Sequence, residues 1–328
     1  MARFKGYLSL DPQLHKLLGQ SINSLAKNSI LFSVNMSAPV SAKDGLFGST
    51  AVNDVQDRPD GFPSMIDVYQ HCIGSACRAV PSHLPALLKS FPSSGGTVLD
   101  NACGTGAASQ EFLEKFPTAE IYAADVAPLM VHAFKAIMGT KKELQKQVKE
   151  VRLEDAQSLT FTDDMFDASI TNFGIVNIPD PIAGAKQIYR TLKPGGTVIV
   201  TAWKTFGFKP ILWEIQEQVK PADPLTELHI EPWCDSALLE KILKAGGFSQ
   251  VNFTVVKDGL WGENKEDFKR VLLENLVTLT ARNWTEEEQC KLPAMISQVV
   301  DEQQDKFSVT DGGKVGCMME AWVAVATK

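Results

Sequence analysis

The sequence lacks any long apolar run, and it has fewer basic than acidic side chains. No stretch reaches the roughly twenty consecutive apolar residues that a membrane-spanning helix needs. Lys and Arg together number 32 against 39 Asp and Glu, which gives a net charge of −7. This balance disfavours the broad positive surface that binds nucleic acid or anionic membranes. We therefore expect a protein with no membrane span and no nucleic-acid partner.

Paired cysteines are also missing, because the six cysteines are scattered and none stands in a C-x-x-C pair. The spacing therefore predicts no zinc site, and we expect no bound metal. Free thiols in a reducing compartment are the simpler interpretation of such cysteines. The sequence shows no internal repeat and no low-complexity segment. Apolar and charged contents of 44% and 22% are typical of a soluble globular chain of one or two domains.

Residues 1–60 form an N-terminal segment that admits two interpretations. Five basic residues oppose only Asp11 and Asp44 within the first fifty, and serine is frequent, which is a weak transit-peptide composition. The stretch from Leu14 to Val34 also fits an amphipathic helix that closes over a site as a lid. We expect a cytoplasmic protein, with a mitochondrial location as the alternative.

The clearest signal is the stretch from Val98 to Ser109, VLDNACGTGAAS. Apolar residues lead into Asp100, Gly104 and Gly106 follow, and a helical apolar pattern opens after them. This order predicts a strand, a glycine turn and a helix, whose backbone N–H groups approach a ligand closely. The spacing G-x-G-x-x-S is one glycine short of the dinucleotide fingerprint. Asp100 would repel a pyrophosphate and attract an ammonium group; a turn without a ligand is the alternative.

This stretch resembles the first motif of class I S-adenosylmethionine-dependent methyltransferases, D-x-G-x-G-x-G, with Ala102 at the first glycine. S-adenosylmethionine carries an ammonium and a sulfonium group and no phosphate, which suits Asp100. The stretches FDASITNFGIVNIPDP and YRTLKPGGTVIVTAW resemble the second half of small-molecule methyltransferases, including quinone-biosynthesis C-methyltransferases. The resemblance covers about Thr97 to Trp203. The N-terminal pattern of the quinone enzymes is not evident, so their substrate does not carry over.

The resemblance implies a set of residues that bind S-adenosylmethionine: Asp100, Ala102, Gly104, Gly106, Asp125, Val126, Asp155, Ala156, Asn172, Phe173 and Tyr69. Asp125 lies about twenty residues beyond the glycine turn, where α/β folds place a carboxylate for ribose hydroxyls. The Asp155 carboxylate and the Ala156 N–H would contact adenine, with a solvated acid at a strand end as the alternative. Phe173 and Tyr69 offer aromatic faces to the sulfonium, with core packing as the alternative.

Alternating strand and helix patterns predict an α/β fold. We expect a Rossmann-like sheet of seven strands, mostly parallel, with helices on both faces and an antiparallel last strand. The methyltransferase domain would span residues 61–328. Lys193–Gly196 predicts a turn before the fifth strand, and the stretch between Trp203 and Asp235 appears irregular.

A helical cap is predicted at residues 262–314, between the strands Val251–Val256 and Met318–Val325, which should pair. Two helices are expected there, Lys265–Arg282 and Glu286–Gln303, the second opened by a capping box at Thr285 and Glu288. The first helix carries an apolar face: Phe268, Leu272, Leu273, Leu276 and Leu279. An insertion of this length between paired strands indicates a lid that governs acceptor choice. Homodimer formation through these helices is the alternative.

Methyl transfer depends mainly on alignment, which supplies up to about 7–11 kcal/mol for well-held reactants. A general base is needed only for a hydroxyl or carbon acid, and His229 is the candidate, with a surface histidine as the alternative. The aromatic stretch from Phe206 to Trp233 favours an apolar small-molecule acceptor, such as a secondary metabolite or a quinone-like compound. Two other functions stay open: a cyclisation or other non-methylating reaction on the same fold, and a non-catalytic regulatory protein.

Overall fold

The computed structural model describes residues 77, 80–88, 91, 92, 94–228, 230–281, 284–303, 307–309 and 312–328. Three of the sequence predictions lie outside these residues: the N-terminal segment 1–60, Tyr69 and His229. Within the described part of the chain, no helix has the length and apolar character needed to cross a bilayer.

Eight strands form one sheet at the centre of the molecule. They are β1 (Thr97–Asn101), β2 (Glu120–Asp125), β3 (Val148–Leu153), β4 (Phe166–Thr171), β5 (Leu192–Thr205), β6 (Val251–Gly262), β7 (Ser308–Val309) and β8 (Val315–Thr327). The order is β3-β2-β1-β4-β5-β8-β6, with the two-residue β7 beside β8. The first five strands pair in parallel, and β8 is antiparallel to both β5 and β6. The predicted Rossmann-like sheet with an antiparallel last strand is confirmed.

Nine α-helices connect these strands within the described residues. They are α1 (Ala107–Lys115), α2 (Pro128–Thr140), α3 (Lys142–Gln147), α4 (Pro181–Thr191), α5 (Lys209–Val219), α6 (Ser236–Gly246), α7 (Lys265–Leu279), α8 (Glu286–Gln289) and α9 (Leu292–Glu302). Short 3₁₀ helices occur at Val80–Leu87, Ile175–Asn177 and Glu231–Cys234. The helix starts follow local chemistry: Asp180 accepts from the N–H groups of Ile182 and Ala183, ahead of a proline in the first turn of α4.

Two apolar clusters cover the two faces of the sheet, because successive side chains of a strand point to opposite sides. Val98 lies in the first cluster with side chains from α1, α2, α5, α7 and α9. Leu99, the next residue, lies in the second cluster with side chains from α4 and α6. Helices on both faces leave the ends of the strands as the place where a ligand can reach the sheet.

Two local predictions were wrong. Lys193–Gly196 lies within β5 and not in a turn before it, because the β4–β5 register shifts there and absorbs the extra residues, with Gly195 at φ +81°. The stretch after Trp203 is not irregular throughout, because it contains α5. The regular signal there is the buried spacing of Ile211, Leu212 and Ile215 on one face of that helix.

The predicted pairing of Val251–Val256 with Met318–Val325 is confirmed, and both strands extend further, to Gly262 and from Val315. Gly262, the last residue of β6, packs closely against α7. A Cβ on Gly262 would lie 2.3 Å from the backbone nitrogen of Phe268, at the start of α7.

The segment between β6 and β8 contains α7, α8, α9 and β7. The predicted capping box at Thr285 and Glu288 is confirmed. The helix expected at Glu286–Gln303 divides into α8 and α9, because Pro293 stands in the first turn of α9 and has no N–H to continue a helix. Phe268, Leu272 and Leu276 are fully buried in the first cluster, which also holds side chains of the sheet. The apolar face of α7 is therefore part of the main core.

Candidate functional site

The turn after β1 approaches its surroundings too closely for ordinary side chains. Gly104 and Gly106 both have positive φ, at +54° and +80°. A Cβ on Gly106 would lie 2.3 Å from the ring of Phe134, so glycine is required there. Ala102, at the position where the family motif has glycine, has a φ of +53°, which is uncommon for a residue with a Cβ. Backbone strain of this kind concentrates at functional sites.

Asp100, the last but one residue of β1, fastens the turn to α1. Its Oδ2 accepts hydrogen bonds from the Ser109 N–H at 3.1 Å and from the Ser109 hydroxyl at 2.5 Å. Its Oδ1 is buried and has no hydrogen-bond partner in the described part of the chain. Burial raises the pKa of Asp100 to about 7, against the lowering effect of the two Ser109 hydrogen bonds. The free oxygen is the atom through which Asp100 would attract an ammonium group.

Asp125, at the end of β2, joins two turns. Its Oδ2 accepts from the Gly104 N–H at 2.8 Å, and its Oδ1 accepts from the Ala127 N–H at 2.9 Å. Burial raises the pKa of Asp125, opposed by these backbone hydrogen bonds. Each carboxylate oxygen has two acceptor positions, so one on each remains for a pair of vicinal hydroxyls. The fixed carboxylate therefore fits the ribose of S-adenosylmethionine.

Apolar side chains stand exposed beside this carboxylate. Val126, which follows Asp125, is 47% exposed, and Leu153 at the end of β3 is 56% exposed. Leu153 is paired with Asp125 in the β2–β3 register, so the two apolar side chains end neighbouring strands. Exposed apolar surface at strand ends fits a flat heterocycle such as adenine. Sequence reasoning missed Leu153, whose apolar character just before an acid-rich loop was the available signal.

Asp155 and Ala156 follow β3, at the same edge of the sheet as Asp125. Asp155 Oδ1 accepts from the Gln157 backbone N–H at 2.9 Å and from its side-chain Nε2 at 3.0 Å. Asp155 is half-buried, whereas Ala156 is buried in the second apolar cluster. An adenine amine would therefore share or replace the Gln157 amide on this carboxylate.

Asn172 and Phe173 lie in the turn after β4, next to the turn after β1. Phe173 has a φ of +55°, and its ring stacks on Trp203 with centroids 3.9 Å apart and an interplanar angle of 13°. Trp203 contacts Phe206, and Phe206 contacts Phe208, with centroid distances of 6.0 and 5.8 Å. We call these four side chains the aromatic wall. Both polar atoms of the Asn172 amide are engaged: Oδ1 accepts from the Thr201 hydroxyl, and Nδ2 donates to the Cys77 carbonyl.

The sheet thus brings together the predicted residues of the turns after β1, β2, β3 and β4 at its carboxyl edge. Thr201, the partner of Asn172 and Phe173, was not predicted, because nothing in its local sequence distinguishes it from other strand threonines. Burial raises the pKa of the Cys103 thiol well above its ordinary value, which agrees with a packing role for this residue. Among the described residues, no group of three or more His, Cys, Asp or Glu side chains could hold a metal ion.

Comparisons with known proteins agree with this geometry. A family model described as a methyltransferase domain matches residues 98–196. The chain is 27% identical to a demethylmenaquinone methyltransferase of Clavibacter sepedonicus over 183 residues, 52% of this chain and 72% of that protein. It is 26% identical to the methyltransferase ktnA of Aspergillus niger over 265 residues, 70% of this chain and 84% of that protein.

Among solved structures, a Haemonchus contortus N-methyltransferase in complex with S-adenosylhomocysteine matches with a TM-score of 0.48 and 17% identity. The match covers 89% of this chain and 61% of that one. The cofactor of the present chain is S-adenosylmethionine, and the domain match at residues 98–196 spans the turns after β1, β2, β3 and β4. Residues 98–196 match a methyltransferase domain, and the motifs, the sheet order and the similar methyltransferases together support a class I S-adenosylmethionine-dependent methyltransferase.

Proposed function

We propose that this methyltransferase acts on an apolar small molecule, either a secondary metabolite or a quinone-like acceptor. The aromatic wall carries this proposal. It begins at Phe173, in the turn that touches the turn after β1 (residues 102–106, called the donor turn), and continues through Trp203, Phe206 and Phe208 without a charged side chain. These side chains are only 4–8% exposed; where an acceptor reaches their exposed edges, aromatic side chains favour flat, apolar molecules. The names of the relatives, which include a demethylmenaquinone methyltransferase, support the same substrate class.

The protein residues would act mainly by holding the donor and the acceptor in line. S-adenosylmethionine supplies an electrophilic methyl group on a sulfonium, which leaves readily. Asp125 would fix the ribose, Asp100 would attract the ammonium group, and the apolar ends of β2 and β3 would contact adenine. Phe173, Trp203, Phe206 and Phe208 have no titratable group. An acceptor that must lose a proton therefore needs a base from another part of the chain, for which His229 stays the candidate.

The helices between β6 and β8 would set the outer boundary of the acceptor site. Their buried side chains, such as Leu272 and Ile296, belong to the same apolar cluster as Trp203 and Phe206. Helices that share an apolar cluster with the aromatic wall would influence its shape, and so would govern which acceptors fit. Dimer formation through these helices stays the alternative, and the oligomeric state in solution would separate the two.

Incubation of the protein with methyl-labelled S-adenosylmethionine and a panel of acceptors tests the proposal. The panel contains hydroquinones and polycyclic phenols on one side, and polar acceptors such as glycine and phosphoethanolamine on the other. We expect label in the apolar acceptors and none in the polar ones. Transfer only to polar acceptors would contradict the proposal. Conversion of an apolar compound without incorporation of label would favour the non-methylating alternative.

A further inference from the structure

The turn formed by Asn172, Phe173 and Gly174 lies between the donor turn and the aromatic wall. On the donor side, a Cβ on Gly174 would lie 2.4 Å from the Cβ of Ala102, so the two turns are in direct contact. On the acceptor side, the Phe173 ring stacks on Trp203. This turn therefore contacts the turn after β1 on one side and the aromatic wall on the other.

Phe173 is held in an unfavourable backbone conformation. Its φ of +55° places a bulky residue in the left-handed region, and its ring is buried, with 7% exposure. Such a conformation costs energy and persists only where neighbouring groups impose it. The group that meets the Phe173 backbone is the Thr201 hydroxyl, whose oxygen accepts from the Phe173 N–H at 2.8 Å.

Thr201 connects three parts of the site through one hydroxyl. Thr201 lies on β5 and is fully buried. Because the Phe173 N–H can only donate, the hydroxyl accepts there and keeps its own hydrogen for Asn172 Oδ1, at 2.9 Å. The Asn172 amide is then oriented with Nδ2 toward the Cys77 carbonyl, at 3.0 Å. Each of these three hydrogen bonds requires the orientation that the others set.

We propose that Thr201 is a positioning residue for the acceptor site. Its hydroxyl fixes the turn that contains Phe173, and the fixed ring, stacked on Trp203, sets the shape that an acceptor meets next to the methyl donor. Thr201 acts through Phe173 and Asn172, since its own side chain is fully buried. The inference rests on the proposed function for its activity measurement, but its spectroscopic measurement needs no acceptor.

The test compares Thr201→Val with Thr191→Val. Both threonines are fully buried, and both variants replace a hydroxyl by a methyl group of similar size. Thr191 is the last residue of α4, and its hydroxyl donates to the Gln187 carbonyl of its own helix, at the other end of β5. Thr191→Val therefore reproduces the chemical change and the burial without touching the turn of Phe173.

For Thr201→Val we expect kcat/KM for an apolar acceptor to fall at least about tenfold, while the Kd of S-adenosylhomocysteine stays within about threefold. The near-ultraviolet circular dichroism should also change, because the stacked Phe173–Trp203 pair contributes to it. Thr191→Val should keep the wild-type acceptor kinetics and spectrum. Thr201→Ser, which retains the hydroxyl, should resemble the wild type.

The proposal is overturned if Thr201→Val keeps the wild-type kinetics and spectrum, or if Thr191→Val loses activity to the same extent. If Thr201→Val does not fold, Asn172→Ala removes the acceptor of the Thr201 hydroxyl hydrogen and the bond to Cys77 from a half-buried position, and it should show the same change in the near-ultraviolet spectrum. If the wild type methylates no acceptor, the proposed function fails. The near-ultraviolet spectra then still decide whether Thr201 positions Phe173.

Discussion

Asp100 and Asp125 are both buried carboxylates at strand ends, but their hydrogen-bond patterns differ. Asp100 has one oxygen bonded to Ser109 and one without a partner among the described residues. Asp125 has each oxygen bonded to a backbone N–H of a different turn. The residue types could be predicted from the sequence, because the strand pattern and the glycine turn fix their positions. Which groups bond to each carboxylate oxygen could not be predicted, because this depends on how the turns pack.

The raised pKa of Asp100 predicts a pH dependence of stability. Below pH 3.8 Asp100 is protonated in both the folded and the unfolded chain, and the contribution of its raised pKa to the free energy of unfolding is fully present. As pH rises toward 7, the unfolded chain ionises first, so the folded state loses stability until Asp100 itself ionises at about 7. Between pH 5 and pH 8 the wild type should therefore lose more stability than Asp100→Asn, by up to about 3 kcal/mol, because each pKa unit corresponds to about 1.4 kcal/mol. Urea denaturation at both pH values measures this, and equal losses would contradict it.

Loss of the Asp125 carboxylate should weaken cofactor binding. Asp125→Ala removes the ribose acceptor and leaves the N–H groups of Gly104 and Ala127 without their partner. We expect the binding free energy of S-adenosylhomocysteine to fall by about 1–3 kcal/mol, the range for unpaired buried polar groups. Calorimetric titration checks this value. An unchanged Kd would mean that Asp125 only organises the turns.

Ala102 and Gly174 should be energetically coupled. Gly174 has an ordinary helical backbone, so an alanine there is opposed by the contact with the Ala102 methyl group and not by its own φ. Gly174→Ala should cost about 1–3 kcal/mol of stability in the wild type, the range for overpacking. The cost should fall by at least about 0.5 kcal/mol in an Ala102→Gly background, the lower limit for residues in contact. A double-mutant cycle of unfolding free energies measures the coupling, and additive effects would disprove it.

At the scale of elements, the sequence predicted best where a motif or a cap sits inside a periodic pattern. The strand–turn–helix around Gly104 and the capping box at Thr285 are examples. It predicted less for β6, which continues through Gly259 to Gly262; a Cβ on Gly259 would lie 2.2 Å from the Trp261 ring, so a glycine there permits close packing inside the strand. Thr201 was missed for a related reason: its role depends on the β4–β5 register, which no local pattern specifies.

The packing of α7 determines how the insertion can be tested. Leu272, Leu273 and Leu276 are buried in the core of the sheet, so removal of the whole segment would expose that core and would not isolate a lid. Leu272→Ala should lower the free energy of unfolding by about 2–5 kcal/mol, as for other buried leucines. Chemical denaturation checks this. A cost below about 1 kcal/mol would indicate that α7 separates easily from the sheet, as a mobile lid would.

At the scale of the whole molecule, the strand order explains why residues from distant parts of the sequence meet. The strands β3, β2, β1, β4 and β5 run in parallel, so the turns that follow the first four of them lie along one edge. This edge was predictable because the motifs occur in family order. The contribution of the cap helices to the main core was not, since it depends on long-range packing of β6 and β8.

A calorimetric titration of the wild-type protein with S-adenosylhomocysteine, and separately with NAD, tests the central claim most directly. Asp100 at the turn and the missing third glycine of the dinucleotide fingerprint favour a cationic, phosphate-free ligand. We predict saturable binding of S-adenosylhomocysteine with a Kd in the micromolar range, which corresponds to a binding free energy of about −8 kcal/mol. We predict no saturable heat with NAD. Tight binding of NAD, with no response to S-adenosylhomocysteine, would contradict the account.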